Sequence, residues 1–191
     1  MHRNRICDPC ANTMIMKNQN DNKGDATQDL SDQSAIEKLK ELIKHNSICM
    51  FATKLDDVPL ETRPMSVAQV DDEGILWFLS AKSSRKNHEI VADPRIQLFF
   101  ANVSDQEYLT IYGLAVETDN QQKIKELWTP IAKAWFTEGV DDPDLSAVRV
   151  TPQDGFYWDT KSGRMISLIK ILASAVTGKT LEEGVQGKLK I

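Results

Sequence analysis

The chain has 191 residues, of which 41% are hydrophobic and 27% are charged, and its formal net charge is −5. This size and composition are ordinary for one globular domain with a hydrophobic core. The negative charge argues against a protein that binds nucleic acid or acidic membranes over a broad surface, because no overall positive field would attract a polyanion. No run of about 18 apolar residues is present, so we expect no membrane-spanning segment.

The first part of the chain, residues 1–32, is polar and lacks periodicity, and we predict a disordered tail there. Its Cys7–Cys10 segment is a single C-x-x-C, which supplies only two of the four ligands of a structural zinc. We therefore favour an incidental tail sequence, which a natural start at Met14 or Met16 would remove. The number of cysteines is odd and no secretory signal pattern is present, so we expect the protein to reside in the reducing cytoplasm.

A helix followed by strands is predicted for the next part of the chain. Ser34 and Glu37 form a capping-box pattern, and apolar residues then recur at helical spacing as far as His45. Short apolar runs separated by Asp- and Gly-containing turns follow, and they predict strands. The predicted strands are Ile48–Lys54, Thr62–Val70, Ile75–Ser80, Ile96–Ala101 and Tyr108–Glu117, the last with a bulge or bend at Gly113.

The C-terminal part is predicted to contain a helix over Gln121–Phe136, broken at Pro130, and then short strands. The apolar face of that helix is predicted to consist of Trp128, Ile131 and Trp135. The acidic segment Asp141–Asp144 lacks the Gly and Glu of a calcium loop and is interpreted as a turn. The predicted strands are Ala147–Thr151, Phe156–Asp159 and Arg164–Leu168. We expect one domain over 33–176 and a flexible C-terminal tail over 177–191.

The order of these elements favours a barrel. The strands are irregularly spaced, and helices interrupt them rather than alternate with them, which argues against a doubly wound sheet. The glycine-rich loops that bind dinucleotides or nucleoside triphosphates are absent. Closing such strands into a barrel would remove exposed strand edges. The sequence therefore predicts a mainly β fold, a β-barrel with peripheral helices.

The segment Leu79–Ile90, LSAKSSRKNHEI, has two interpretations. In the first, Ser83 or Ser84 caps a short helix, and Arg85, Lys86 and the glutamate that follows form its solvated face. In the second, the same helix start binds a phosphate, because its free N–H groups, its serine hydroxyls and its cations all suit an anion. The local residues alone leave both interpretations open.

Other candidate groups have simpler interpretations. Arg63 on its own would be a surface charge, and aromatic residues such as Tyr108 and Trp158 would be core residues. Cys49, inside a predicted strand, is most simply a small buried hydrophobe. The three histidines do not have metal-binding spacing, and we find no nucleophile–base pair at a suggestive spacing. We therefore predict no metal site and assign no catalytic residue.

Several segments, taken in order from about Ser34 to Leu168, resemble the pyridoxamine 5′-phosphate oxidase-like family, the FMN-binding split barrels. The similar branch is that of the general stress proteins. The segments are ETRPMSV, ILWFLSAKSSRKNHEI, ADPRIQLFF, YLTIYGLAVE and AWFTEGVDDPDL. The strand–S-R-K–helix arrangement, the following D-P-R strand and a C-terminal tryptophan make the resemblance specific. It implies an FMN-binding split barrel over 33–176 and a homodimer with FMN at the subunit interface.

The resemblance also assigns residues to the cofactor. These are Arg63, Pro64, Met65, Leu79, Ser80, Ser83, Ser84, Arg85, Lys86, Tyr108 and Trp158. It implies that the first three lie along the isoalloxazine ring toward the phosphate, that the next two line the following strand, and that the S-R-K group binds the phosphate. Tyr108 takes the place of a family glutamine near the flavin. Trp158 matches a tryptophan that contacts FMN from the partner subunit.

The chain departs from the true oxidases at the positions that hold their substrate. Ala68 stands where they carry a lysine, five residues after the motif arginine. Arg164 matches the first arginine of their R-x-H-x-R run. Ile166 stands in the place of the histidine, and Leu168 in the place of the second arginine. The cofactor-binding pattern is therefore kept and the substrate-binding pattern is lost, so we expect no pyridoxamine 5′-phosphate oxidase activity.

The sequence thus predicts a cytoplasmic FMN-binding general stress protein, interpreted as a flavin-dependent oxidoreductase whose substrate, electron donor and acceptor are unassigned. Two alternatives stay open. One is a flavin-binding or redox-sensing module without turnover. The other is a split barrel that holds haem or a deazaflavin.

Overall fold

The computed structural model describes residues 26–27, 30–159 and 185–190. The predicted strand Arg164–Leu168 and the Cys7–Cys10 segment lie outside the described residues. Within these ranges, no helix has the length and apolar character needed to cross a membrane.

The described residues form ten strands and three α-helices. In chain order they are β1 (Ala26–Thr27), β2 (Leu30–Ser31), α1 (Asp32–His45), β3 (Ile48–Thr53), β4 (Glu61–Ser66), β5 (Gln69–Val70), β6 (Leu76–Ala81), α2 (Arg85–Ala92), β7 (Arg95–Asn102), β8 (Glu107–Thr118), α3 (Gln121–Leu127), β9 (Leu145–Asp159) and β10 (Val185–Lys190). Short 3-10 helices at Pro130–Ala134 and Gly139–Asp141 follow α3.

A bend in one strand segment closes the sheet into a barrel. Antiparallel neighbours run in the order β6, β9, β8, β7, β3 and β4. After β4 the chain turns at Val67 and Ala68, and β5 then pairs with β6 at the other end of that order. At the bend, the Val67 N–H donates to the Ser47 carbonyl (2.9 Å) and the Ala68 N–H to the Trp77 carbonyl (2.7 Å). The mainly β, split-barrel prediction is confirmed, although Thr62–Val70 is two strands rather than one.

Alternate strand residues fill the barrel interior. Phe51 and Phe78 meet edge to face there, with ring centroids 5.4 Å apart. One side of α1 packs against this core through its apolar residues, which include Leu39 and Leu42. Each such burial stabilises the fold by about 1.5–3 kcal/mol. The helical spacing in the sequence therefore identified the packed face of α1 correctly, although the helix begins at Asp32, two residues before the predicted cap.

Gly113 lies where β8 and β9 change register, as the sequence predicts. The pairing shifts between Tyr112 and Gly113. A Cβ added at position 113 would lie 2.8 Å from the carbonyl oxygen of Thr151, so the close approach of the two strands requires glycine. The partner strand β9 is continuous over Leu145–Asp159, whereas the sequence predicts two strands there.

The helical region after β8 packs through a different face from the predicted one. Its buried residues are Ile124, Leu127, Ala132 and Phe136. Trp128, one of the three predicted residues, packs against this cluster, but Ile131 and Trp135 are 74% and 73% exposed. The prediction is wrong for these two residues because it assumes one helical repeat throughout. The backbone of Trp128 is extended, and Pro130 then begins a tighter 3-10 helix, so the angular positions after α3 are reset.

The strand β10 lies in the stretch for which the sequence predicts a flexible tail. Its residues pair antiparallel with the end of β9, from Val185 opposite Asp159 to Leu189 opposite Gly155, and Leu189 is fully buried. The two short strands β1 and β2, within the predicted N-terminal tail, pair in parallel with β10. These pairings join residues far apart in the sequence, which local composition does not indicate.

Candidate functional site

Helix α2 begins as predicted, but several of its polar side chains are buried rather than exposed to solvent. Ser84 is the N-cap, and its hydroxyl accepts a hydrogen bond from the backbone N–H of Asn87 (3.3 Å). Arg85 is exposed, whereas Lys86, Asn87 and Glu89 are buried. The interpretation of Lys86 and Glu89 as part of a solvated face is therefore wrong. Two ionisable groups are buried at the start of this helix.

Asn87 is the centre of a buried hydrogen-bond network. Its Oδ1 accepts hydrogen bonds from Ser80 Oγ and Lys86 Nζ, both at 2.7 Å. Its Nδ2 donates to Glu117 Oε1 (2.7 Å) and to Ser146 Oγ (3.1 Å). Because both ends of the amide have partners, its orientation is fixed. The network ties the start of α2 to β6, β8 and β9.

Lys86 is a buried cation with neutral hydrogen-bond partners. Its side chain belongs to a residue that is 6% exposed, and Nζ donates to Ser80 Oγ and Asn87 Oδ1. Burial lowers the pKa of Lys86 to about 8, with a further contribution from the charge of Arg63. Among the described residues, no carboxylate forms an ion pair with it. An anion that reached Nζ would therefore stabilise its charged form.

Glu89 is a buried carboxylate between two arginines. It is 4% exposed, and its Oε2 accepts hydrogen bonds from Thr53 Oγ1 (2.6 Å) and Arg63 Nη2 (2.9 Å). Arg85 Nε lies 2.9 Å from Oε1 without hydrogen-bond alignment, so this contact is an ion pair alone. Burial on its own raises the pKa of Glu89, but the bonds from Thr53 and Arg63 and the two arginine charges outweigh it. The pKa lies below its ordinary value.

Arg85 has a second carboxylate partner, Glu61 on β4. Arg85 Nη2 donates to Glu61 Oε1 at 2.5 Å, and the two side chains are 68% and 37% exposed. Alternation along β4 places Glu61, Arg63 and Met65 on the face toward α2 and the core. Both arginines of the predicted site therefore already have carboxylate partners within the chain.

Ser83 is bound to the acidic turn before β9. Its N–H donates to Asp144 Oδ1 (2.8 Å) and its hydroxyl to Asp144 Oδ2 (2.7 Å). The Lys82 N–H donates to the Asp144 carbonyl (2.7 Å). The two Ser83 bonds lower the pKa of Asp144. The predicted turn over Asp141–Asp144 thus anchors the chain just before α2, and both donors of Ser83 are engaged.

Neighbouring residues of the predicted site lie on opposite faces of their strands. Pro64 is exposed and pairs with Met50, on the face opposite Arg63. Ser80 is buried toward α2, whereas Leu79 packs into the cluster under α3. The predicted residues that the structure brings together at α2 are Arg63, Ser80, Ser84, Arg85 and Lys86.

Tyr108 and Trp158 lie far from this group in the same chain. They are directly opposite each other on β8 and β9, and both are exposed. Along β8, Tyr108 is near the start and Glu117, which binds Asn87, is near the end. Their separation of nine residues corresponds to roughly 30 Å at about 3.3 Å per residue. One chain therefore holds the predicted flavin residues in two separate groups.

Tyr108 and Trp158 belong to an exposed, largely apolar face of the sheet, which we call the outer sheet face. Its members are Ile48, Met50, Pro64, Phe99, Tyr108 and Trp158. Met50 is paired with Pro64 on one side and Phe99 on the other, so the apolar surface continues from β4 across β3 to β7. Contiguous exposed apolar surfaces are typical of sites that contact other molecules.

Sequence reasoning missed several groups that shape the site. These are Thr53, Glu61, Asn87, Glu117, Asp144 and Ser146. The burial of Glu89 was missed as well, although its ion pair with Arg85 could have been predicted from their i, i+4 spacing on a helix. The remaining contacts join positions such as Asn87 and Ser146, which are 59 residues apart, and no local pattern indicates them.

Comparisons with known proteins agree with the fold and the motifs. The family model "Pyridoxamine 5′-phosphate oxidase like" matches residues 34–182. Protein bli-3 of Neurospora crassa is 23% identical over 154 residues, which cover 75% of this chain and 74% of that protein.

Solved structures of general stress proteins are also similar. A general stress protein 26 from Jannaschia sp. CCS1 is 25% identical with a TM-score of 0.70, over 81% of this chain and 97% of that one. The general stress FMN/FAD binding protein of Xanthomonas citri is 22% identical with a TM-score of 0.60, over 69% and 93%. Since the family model spans most of the sequence, the chain belongs to the pyridoxamine 5′-phosphate oxidase-like family.

Proposed function

We propose that the chain is a cytoplasmic, FMN-binding general stress protein that acts as a homodimer and serves as a flavin-dependent oxidoreductase. Each flavin would lie between the start of α2 in one subunit and the outer sheet face of the other. The observation that carries this proposal is the separation of the predicted flavin residues into two groups, at opposite ends of β8. Two copies of the chain would be needed to complete one site.

The charges at the start of α2 suit the phosphate of FMN. Lys86 is buried without a carboxylate partner among the described residues, so a bound phosphate would compensate its charge. The helix start after Ser84 favours an anion as well, because the N–H groups of its first two residues, Arg85 and Lys86, have no acceptor within the helix. Arg85 is exposed enough to add a charge-assisted hydrogen bond. The residues present therefore fit a phosphate group.

The outer sheet face has the aromatic and apolar side chains needed to contact both the flavin ring system and a second subunit. Trp158 is held by an edge-to-face contact with Phe156, with ring centroids 4.5 Å apart, and so presents a fixed aromatic surface. Tyr108 stands opposite it on β8. The apolar residues that continue this surface across β3 and β7 support contact with another copy of the chain.

The name of the Xanthomonas citri relative supports a flavin, because that protein is a general stress FMN/FAD binding protein. A bound flavin would supply hydride or electron transfer. The residues of this chain would bind the phosphate through Lys86 and Arg85, orient the ring through Tyr108 and Trp158, and exclude water at the subunit contact. Ala68 stands in the lysine position of the true oxidases, so we do not propose oxidation of pyridoxamine 5′-phosphate.

The proposal is tested with the purified full chain. We expect saturable FMN binding at micromolar concentration, measured by quenching of flavin fluorescence, with equal numbers of flavins and chains. Analytical ultracentrifugation should show a dimer. A protein that is colourless as isolated and shows no saturable FMN binding would contradict the proposal.

Two further measurements separate the alternatives. Rapid reduction of the bound flavin by NADH or NADPH in stopped-flow experiments would support the oxidoreductase, whereas no reduction by any donor would indicate a flavin-binding module. The absorption spectrum of the protein as isolated distinguishes FMN from haem or a deazaflavin.

A further inference from the structure

Asn87 lies between a buried cation and a carboxylate. It is fully buried, and its Oδ1 accepts a hydrogen bond from Lys86 Nζ at 2.7 Å. On the other side, its Nδ2 donates to Glu117 Oε1, also at 2.7 Å. The amide group therefore separates the ammonium of Lys86 from the carboxylate of Glu117, two charges that would otherwise attract each other into an ion pair.

The chemistry of these two neighbours allows only one orientation of the Asn87 amide. An ammonium has three N–H donors and no acceptor, whereas an ionised carboxylate only accepts. The Asn87 oxygen must therefore face Lys86, and its NH₂ group must face Glu117. The surrounding serines agree with this orientation, because Ser80 Oγ donates to Oδ1 (2.7 Å) and Ser146 Oγ accepts from Nδ2 (3.1 Å).

Other side chains of similar size would not serve at position 87. An aspartate there would place a second carboxylate against Glu117 and be repelled by it. A leucine would remove hydrogen bonds from both Lys86 and Glu117 in a buried place, where lost bonds are costly. The asparagine thus gives Lys86 a neutral acceptor and leaves the charge of the ammonium uncompensated at short range.

The ammonium of Lys86 keeps a donor for a ligand. Two of its three N–H groups bind Ser80 Oγ and Asn87 Oδ1, and the described residues supply no acceptor for the third. The charged groups that act on it from β4, from its own helix and from β8 are Arg63, Glu89 and Glu117. Within the described part of the chain, none of the carboxylates forms an ion pair with it.

We infer that Asn87 is a positioning residue for Lys86, and that its hydrogen bond to Glu117 keeps a neutral oxygen instead of a carboxylate against the ammonium. The charge of Lys86 then remains available to an anionic ligand. The inference rests on the proposed function in taking the flavin phosphate as that ligand. Asn87 and Glu117 have no contact with the flavin in this arrangement, since both act through Lys86.

The test exchanges the two polar groups in one protein. Asn87→Asp combined with Glu117→Gln keeps the net charge and a hydrogen bond between the two positions, but it moves the carboxylate next to Lys86. We expect FMN affinity at pH 7 to fall about 10- to 150-fold, the equivalent of one charge-assisted contact. Riboflavin, which has no phosphate, should bind the exchanged and native proteins equally in fluorescence titrations.

The pH profile gives a readout that a loss of packing alone would not reproduce. FMN affinity should fall as Lys86 loses its proton, and a carboxylate beside it should raise its pKa and move this fall to higher pH by about one to three pH units. Glu117→Gln alone should move the fall to lower pH, because the remote charge of Glu117 raises the pKa of Lys86 in the native chain. Glu126→Gln is the matched control and should move neither, since Glu126 is exposed on α3 and paired with Lys123.

The same changes can be measured without a flavin. The pKa of Lys86 is about 8 in the fold and 10.5 in the unfolded chain, so the unfolded state binds more protons between these values and stability rises with pH. In the exchanged protein the pKa in the fold is higher, and this rise should shrink. In Glu117→Gln the rise should begin at a lower pH than in the native chain. Urea denaturation over this pH range measures both changes.

The outcomes separate the inference from the proposed function. If the native chain binds FMN and the exchanged protein keeps the native affinity and pH profile, the inference is overturned and the proposed function stands. If Glu117→Gln moves the profile to higher pH, the inference is overturned as well, whether or not the exchanged protein folds. If the native chain binds no flavin, the proposed function fails, and the stability profiles alone decide whether Asn87 and Glu117 position Lys86.

Discussion

The two halves of the proposed flavin site differ in how far a single chain completes them. At the start of α2, Asn87 and Glu89 are buried, and each has hydrogen-bond partners on neighbouring strands. On the outer sheet face, Tyr108 and Trp158 remain exposed in the described chain. In the proposed homodimer the phosphate end would therefore be preorganised by one subunit, whereas the ring end would depend on a contact between subunits.

This difference predicts separate consequences for mutations in the two regions. Changes at α2 should weaken the binding of flavins that carry a phosphate and leave the assembly intact. Changes on the outer sheet face should affect assembly and the binding of every flavin together. Riboflavin, which lacks the phosphate, distinguishes the two cases.

The largest effect is expected when both cations of the phosphate end are removed. Arg85→Ala combined with Lys86→Met should weaken FMN binding by about 3–6 kcal/mol, because each charge-assisted contact is worth about 1.5–3 kcal/mol. Fluorescence titration measures the loss. Riboflavin affinity and the sedimentation coefficient should stay at the native values, and an unchanged FMN affinity would exclude both residues from phosphate binding.

A charge on the outer sheet face should separate the subunits. Phe99→Asp places a carboxylate in the apolar surface between β3 and β8, at a cost of about 3 kcal/mol if that surface is buried in a dimer. Sedimentation should show a shift to monomer and a parallel loss of FMN and riboflavin binding. The matched control is Ile131→Asp, since Ile131 is an exposed apolar residue on the 3-10 helix after α3. Equal sedimentation of both variants as dimers would contradict the proposed interface.

The aromatic contact should have a smaller effect. Trp158→Ala is expected to weaken FMN and riboflavin alike by about 1–3 kcal/mol, the usual value of a stacked aromatic contact. Trp135→Ala is the control, because Trp135 is exposed but lies outside the outer sheet face. Titration of both flavins against the two variants measures the difference in affinity. Equal affinities of the two variants would show that Trp158 does not contact the flavin.

The sequence predicted best those features that are encoded within a few residues. The N-cap, predicted at Ser83 or Ser84, and the bulge or bend predicted at Gly113 are both indicated by a residue type at one position, and both are confirmed. The burial of Glu89 was not predicted, because its partner Thr53 is 36 residues away. The exposed position of Trp135 was not predicted either, because a change from an α-helix to a 3-10 helix alters the spacing of every later residue.

Some residues of the candidate site were predicted correctly and others were not, because only part of the site is formed by residues close together in the sequence. The motif arginine and the S-R-K segment do meet at α2, through the contact of Arg63 and Arg85 with Glu89. Pro64 lies on the other face of its strand, which follows from the two-residue alternation of strand side chains. The acidic partners of the arginines, Glu89 on α2 and Glu61 on β4, meet them because α2 packs against β4, and this packing is decided by the whole fold.

The smallest predicted effect concerns pH and follows from the burial of Lys86. Burial lowers its pKa to about 8 in the unliganded fold, and a bound phosphate would raise that pKa again. Below pH 8 both free and bound proteins carry the charge, so FMN affinity is constant with respect to this group. Above about pH 8 the free protein loses the proton first, and FMN affinity should fall by at most tenfold, or about 1.4 kcal/mol, per pH unit. Riboflavin affinity should show no such decline.

The stability of the unliganded protein should change in the opposite direction over the same range. The pKa of Lys86 is about 8 in the fold and 10.5 in the unfolded chain, so the unfolded state binds more protons between these values. The contribution of Lys86 to the free energy of unfolding therefore rises with pH from about 8 to 10.5. Lys86→Met should remove both this rise and the decline in FMN affinity, because it keeps the buried side-chain stem without the titrating group. Urea denaturation at several pH values measures the stability difference, and a Lys86→Met profile parallel to that of the native chain would show that Lys86 titrates as an ordinary exposed lysine.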